Sequence, residues 1–335
     1  MNIRHVMTLT GLALGAMVPG AQAQAAAGAG EQATTVIDIA GHPVPVRVGG
    51  LYDRYRSNPP LAVIAQEAPE VDLSWFKTLD KQKVNVGFDT YSPNFYYKDS
   101  SITAVFTADL ETLRALMPPE LRSQVQPLQV WPGRGAVALT AYAYHYCDND
   151  AYNELSLAIV TNKPGAASFG PLSLLGQSRS KSFWGYVLKL PVNTELARVR
   201  GVAGYNLPKW LGDISYRESA DALTFQITDP HTGKPDLVFR GNKLADLSSE
   251  VALVTNSFTN LDKNGQLNYG YSITRQLRHA SSTDQDAIGL TLGGGSLSTY
   301  IKSLKLGKML KYEYVPQFQG ALYAPQPLAR LFDRK

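Results

Sequence analysis

From residue 101 to residue 192 the chain keeps changing face every second residue, and this constrains the fold more than any other feature. "SITAVFT" (101–107), "GAVALTAYAYHYCD" (135–148) and "YNELSLAIVTN" (152–162) each alternate small or apolar residues with polar or aromatic ones. A period of two is the signature of a strand, because successive side chains leave a strand on opposite sides. "KSFWGYVLKLPV" (181–192) is a further strand. "DISYRES", "ALTFQITD", "PDLVFRGN", "VALVTNSFT", "QLNYGYSITRQ" and "KYEYVPQF" continue the series, separated by turn sequences such as "DPHTGK" and "DKNG". Many short strands with few helices define a mainly β (α+β) protein, an antiparallel barrel or sandwich.

Helices are few and short. "ADLETLRALMPPEL" (108–121) carries Leu110, Leu113, Leu116 and Met117 at helical spacing, and Pro118 and Pro119 stop it. Residues 194–204 read as a short helix capped by Thr194. Another is expected near Ser74–Leu79. "STYIKSLKLGKMLK" places Lys302, Lys305, Lys308 and Lys311 three residues apart, which reads as a solvated helix face weakened by Gly307.

The N-terminus has a different character. "MNIRHVMTLTGLALGAMVPGAQAQ" has a basic start at Arg4, an apolar stretch and a small-residue site ending at Ala23, the pattern of a secretory signal peptide. Residues 1–23 are expected to be removed near Ala23, and the mature chain to be periplasmic or secreted. Residues 24–84 are expected to form a flexible tether and an N-terminal extension, with a strand pair in "TVIDIAGHPVPVRVGG". Residues 85–335 are expected to form one β-barrel domain. No later stretch approaches the roughly 18 apolar residues of a transmembrane span.

Composition excludes several classes of function. The 335 residues carry a formal charge of +4, and +3 once Arg4 leaves with the leader, with no basic run that would suit nucleic acid. Cys147 is the single cysteine, so no intrachain disulfide forms, and it reads as a buried small residue. The five histidines, His5, His42, His145, His231 and His279, show no metal-ligand spacing, and no phosphate loop or dinucleotide fingerprint is present. No cofactor and no metal are expected.

Two local sequences carry chemistry. In "GVAGYNLPKWLGD" (201–213) a lysine stands among apolar residues, just after the rigid Pro208. An amine withdrawn from water holds its proton less firmly, and a free amine can attack a ketone to form a Schiff base. Alternatively, Lys209 lays its stem on Trp210 with its ammonium in water. In "YNELSLAIV" Glu154 shares its face with Ser156 and Ala158, while Leu155 and Leu157 face the other way. It therefore points either into a barrel or to solvent.

The segments "FTADLETLRALMPPEL" (106–121), "YNELSLAIV" (152–160) and "VRGVAGYNLPKWLG" (199–212), in this order, resemble the acetoacetate decarboxylase-like superfamily. The resemblance runs from about residue 100 to at least 215. It implies an antiparallel β cone or barrel, often assembled into oligomers, with Lys209 matching the Schiff-base lysine and Glu154 matching the glutamate beside it. It also implies a small-molecule carbonyl substrate. Tyr152, Arg200, Tyr205, Trp210 and His145 are the residues expected to contact it. The chain departs from the decarboxylase pattern at several points. Trp210 stands where a second lysine would follow, and Gly201 stands where an acid would follow the arginine. Asn206 and Leu207 are extra, the upstream glutamate falls near Leu139 or Thr140, and the early-strand arginine falls near Asp99. The expected function is a Schiff-base lyase on a keto acid, with decarboxylation ahead of aldol or dehydration chemistry. The alternative is a non-catalytic binding module for a small apolar or aromatic ligand.

Overall fold

The computed structural model describes residues 33–333; the expected leader and nearly all of the tether lie outside them. Seven strands close into a barrel: β1 (Asn94–Asp109), β2 (Arg134–Cys147), β3 (Tyr152–Val160), β4 (Ser182–Val192), β5 (Ala252–Leu261), β6 (Leu267–Ser282) and β7 (Met309–Pro327). Each pairs with the next in chain order and β7 returns to β1, which closes the ring. All the pairings are antiparallel except β4–β5, which touch in parallel only over Ser182–Gly185 and Thr255–Phe258.

The alternation of the sequence becomes the two sides of the barrel wall. Ile102, Ala104, Leu139, Ala141, Leu155 and Leu157 point outward and are almost wholly buried. They pack under a second, four-stranded antiparallel sheet formed by Asp213–Glu218, Ala222–Thr228, Pro235–Asn242 and Ile288–Leu292. Phe225 and Phe239 of that sheet are both fully buried, each worth about 1.5–3 kcal/mol of burial. The opposite face, with Thr103, Thr140, Glu154 and Ser156, looks inward on a cavity. The largest apolar core cluster thus lies outside the barrel wall, and the interior is hollow, with a few polar groups set among apolar ones.

Residues 34–84 are a folded layer. Thr34–Ile39 and His42–Arg47 form the expected hairpin, and helices at Leu51–Tyr55 and Leu61–Glu67 follow. Phe76, in a single helical turn at Phe76–Thr78, packs against Phe95 and Tyr97 of β1, with ring centroids 4.9 and 5.0 Å away.

Helix α1 (Glu195–Tyr205) leads into the lysine segment. The Thr194 hydroxyl accepts a hydrogen bond from the Ala197 amide, the cap read from the sequence, worth about 1 kcal/mol. The lysine-rich stretch near 300 is helical only over Ser296–Ser303. Lys311 stands beyond it, within β7.

Candidate active site

Asn206 ends α1 in the left-handed conformation, at φ 48°, which asparagine tolerates. Its side-chain amide donates to the Leu261 carbonyl, 2.7 Å away at the end of β5. The Leu207 amide donates back to the Gly201 carbonyl at 3.1 Å. Asn206 and Leu207 thus form a capped turn, and Pro208 then directs the chain into the short strand Lys209–Leu211. This strand runs parallel to the second half of β4, where β4 has parted from β5.

The register explains how Lys209 meets Glu154. Lys209 pairs with Leu190 on one side of β4, and Glu154 pairs with Val192 on the other. Leu190 and Val192 are two residues apart, so both functional side chains leave the same face of the sheet. Lys209 Nζ donates to Glu154 Oε2 at 2.6 Å, and the two side chains are only 8% and 9% exposed.

Gly201 makes room for this arrangement. A Cβ at that position would stand 2.4 Å from Lys209 Cδ and 2.6 Å from Cε. The lysine stem lies across the backbone of α1 at Gly201.

The pair lies in a cavity of about 290 Å³ inside the barrel. Tyrosines surround it. The Tyr144 hydroxyl lies 3.5 Å from Glu154 Oε1, and the Tyr144 ring stacks on Tyr142 at 5.3 Å. Lys209 Nζ is 5.7 Å from the centre of the Tyr152 ring, whose hydroxyl is 3.2 Å from that of Tyr96. Burial holds the phenols of Tyr96, Tyr142, Tyr144 and Tyr152 above their ordinary range, and the Glu154 carboxylate adds to this. They remain neutral proton donors.

Of the residues expected to contact substrate, Tyr152 lies beside Lys209. Tyr205 closes α1, with its phenol pushed up to about 12 by burial. Neither of these two lines the cavity, and the other three do not either. Arg200 turns away from it, donating to Tyr52, Thr90 and Asn94 and lying over the Tyr52 ring, so it ties α1 to the N-terminal layer. Trp210 follows Lys209 in a strand and so leaves by the opposite face, packing on the outer core. It does not shield the lysine. His145 lines a separate cleft, with Nε2 3.0 Å from Ser100 Oγ. Asp99 is a buried carboxyl with no hydrogen-bond partner for either oxygen among the described residues. Cys147 is buried, and its thiol donates to the Asp150 carbonyl.

Sequence reasoning missed Lys311 and Glu313, which also line the cavity. Their signal was the alternation of "KYEY" (311–314), in which Tyr312 and Tyr314 take the buried outer face.

No protein-family model matches the sequence, and no curated protein does. Solved structures are similar in fold. One is an acetoacetate decarboxylase, 13% identical, covering 70% of this chain and 88% of that one, with a TM-score of 0.46. A second, the acetoacetate decarboxylase of Legionella pneumophila subsp. pneumophila str. Philadelphia 1, is 10% identical, covering 69% and 85%, with a TM-score of 0.48. A third is the enduracididine biosynthesis enzyme MppR, complexed with the condensation product of pyruvate and imidazole 4-carboxaldehyde. It is 11% identical, covering 71% and 90%, with a TM-score of 0.48.

Proposed function

We propose that this protein is an exported Schiff-base-forming lyase acting on a keto acid or a related carbonyl compound. Lys209 is the nucleophile and Glu154 the acid and base. The observation that carries this reading is the contact of 2.6 Å between Lys209 Nζ and Glu154 Oε2 in the barrel cavity. The leader read at residues 1–23 supports export, and the family resemblance supports an oligomer.

The chemistry follows from the pair. Glu154 is the group placed to take a proton from the Lys209 ammonium, leaving a free amine. The amine nitrogen attacks the substrate ketone, and the carbonyl oxygen leaves as water, giving a protonated imine. In a β-keto acid this imine accepts the electron pair of the carbon–carboxylate bond, carbon dioxide departs, and an enamine remains. Expelling water uses the proton that Glu154 had taken, so Glu154, reprotonated from water, gives the new proton to the enamine carbon. Hydrolysis then frees the ketone and restores Lys209. Aldol addition or dehydration uses the same imine and follows decarboxylation in our ordering.

A second reading is a binding module without turnover. It is favoured by the ion pair itself, since an ammonium held by a carboxylate is not a nucleophile until its proton moves. Assay of a keto-acid panel for carbon dioxide release separates the two. The lyase reading expects turnover by the wild type and none by Lys209→Ala. Equal release by both proteins contradicts it.

A further inference from the structure

The cavity contains a second ion pair, on the wall opposite the lysine strand. Lys311 Nζ lies 3.1 Å from Glu313 Oε1, and Glu313 Oε2 is 3.4 Å from the side-chain amide of Gln276 on β6. Gln276 is buried, so Glu313 is a fixed post, whereas Lys311 has a flexible stem. Among the described residues Glu313 is the one hydrogen-bonding partner of Lys311. An ammonium has three N–H donors, so it can hold Glu313 and receive a further anion.

The ladder gives the relative heights of the two pairs. Glu154 pairs with Tyr142, and Tyr142 pairs with Ser101. Glu313 pairs with Thr103 and Lys311 with Val105. The chain from Ser101 to Val105 spans four residues, roughly 13 Å along the strand. Exposure rises along the same path, from 8% and 9% at Lys209 and Glu154 to 26% and 38% at Glu313 and Lys311. Lys209 therefore occupies the deep end of the cavity and Lys311 the outer end. Between them the wall carries hydroxyls, with Thr103 Oγ1 and Thr140 Oγ1 3.1 Å apart.

We propose that Lys311 receives a second, distal anionic group of the substrate. The substrate class is then an oxo acid with a carboxylate several bonded atoms beyond the carbonyl that reacts with Lys209. Glu313, held by Gln276, is a positioning residue that keeps the ammonium at the cavity wall. This inference rests on the Schiff-base reading of the same cavity and adds the chemistry of its outer end.

Two β-oxo diacids, β-oxoadipate and β-oxosuberate, test it, each beside its own ω-methyl ester. The readout is the concentration that half-saturates borohydride trapping on Lys209. The ratio of diacid to ester is taken within each variant, so a general loss of reactivity cancels. In the wild type the better diacid half-saturates at about a tenfold lower concentration than its ester, the worth of one charge-assisted hydrogen bond. In Lys311→Met the ratio falls to near one, and in Lys311→Arg the preference persists. A wild-type ratio near one for both diacids overturns the inference, as does a preference that survives Lys311→Met, while trapping of either ester leaves the Schiff-base reading standing. If no compound is trapped, the Schiff-base reading fails and calorimetric titration with adipate and suberate decides the anion site. Binding lost in Lys311→Met supports it, and binding that is absent or indifferent to Lys311 overturns it.

Discussion

Lys209 and Glu154 are 55 residues apart and lie on opposite flanks of strand β4, yet their side chains meet at 2.6 Å. The meeting depends on register: each pairs with a residue on the same face of β4, Leu190 for the lysine and Val192 for the glutamate. A shift of one residue in either pairing would send one of the two groups into the outer core.

The pair is a stability unit as well as a reactive one. Removing one partner from a buried ion pair leaves an uncompensated charge, at a cost of about 3–5 kcal/mol. Lys209→Met and Glu154→Leu are each expected to lose stability on that scale at neutral pH, and the double variant Lys209→Met/Glu154→Leu to recover most of it. Chemical denaturation of the four proteins measures this. Losses that simply add would contradict the described contact.

Gly201→Ala separates the site from the scaffold. In an ordinary helix this change stabilises by about 0.5–1 kcal/mol. Here the new methyl would press on Lys209 Cδ and Cε. We expect a folded protein without the usual gain in melting temperature and at least an order of magnitude less imine formation. A more stable variant with full reactivity would mean that the lysine stem does not lie across Gly201.

Asp99 makes stability depend on pH. Burial drives its carboxyl well above the usual range. The native state then retains a proton that the unfolded chain releases near pH 3.9. The contribution of Asp99 is therefore complete at acid pH and is lost as pH rises from about 4. Asp99→Asn is expected to match the wild type near pH 4 and to exceed it by about 1–3 kcal/mol at neutrality. Unfolding free energies measured across this range check the sign, which is wrong if the advantage shrinks as pH rises.

The strands, the Thr194 cap, Lys209 and Glu154 were legible because each is a local pattern: a period of two, a hydroxyl before a helix, a proline before a lysine, a charge on an apolar strand. Closure of the barrel was not, because it pairs β7 with β1, as in Met309 with Phe106 and Leu322 with Asn94, far apart along the chain, and no local signal specifies it. Neighbourhood in sequence also misled. Trp210 adjoins Lys209 but strand geometry sends it to the other face, and Arg200 adjoins Gly201 but points at the N-terminal layer. Lys311 was hidden within a run of lysines at helical spacing. Its true period, two, begins only at Met309, after the helix has ended.

The most direct test of the central claim is borohydride trapping. The mature protein is incubated with acetoacetate, then in a separate sample with pyruvate, reduced, and the peptides containing Lys209 are weighed. The account predicts a mass gain on Lys209 that requires the ketone and disappears in Lys209→Ala. An unmodified Lys209 with both ketones, or an equal gain on surface lysines, would contradict it and favour a cavity that binds without reacting.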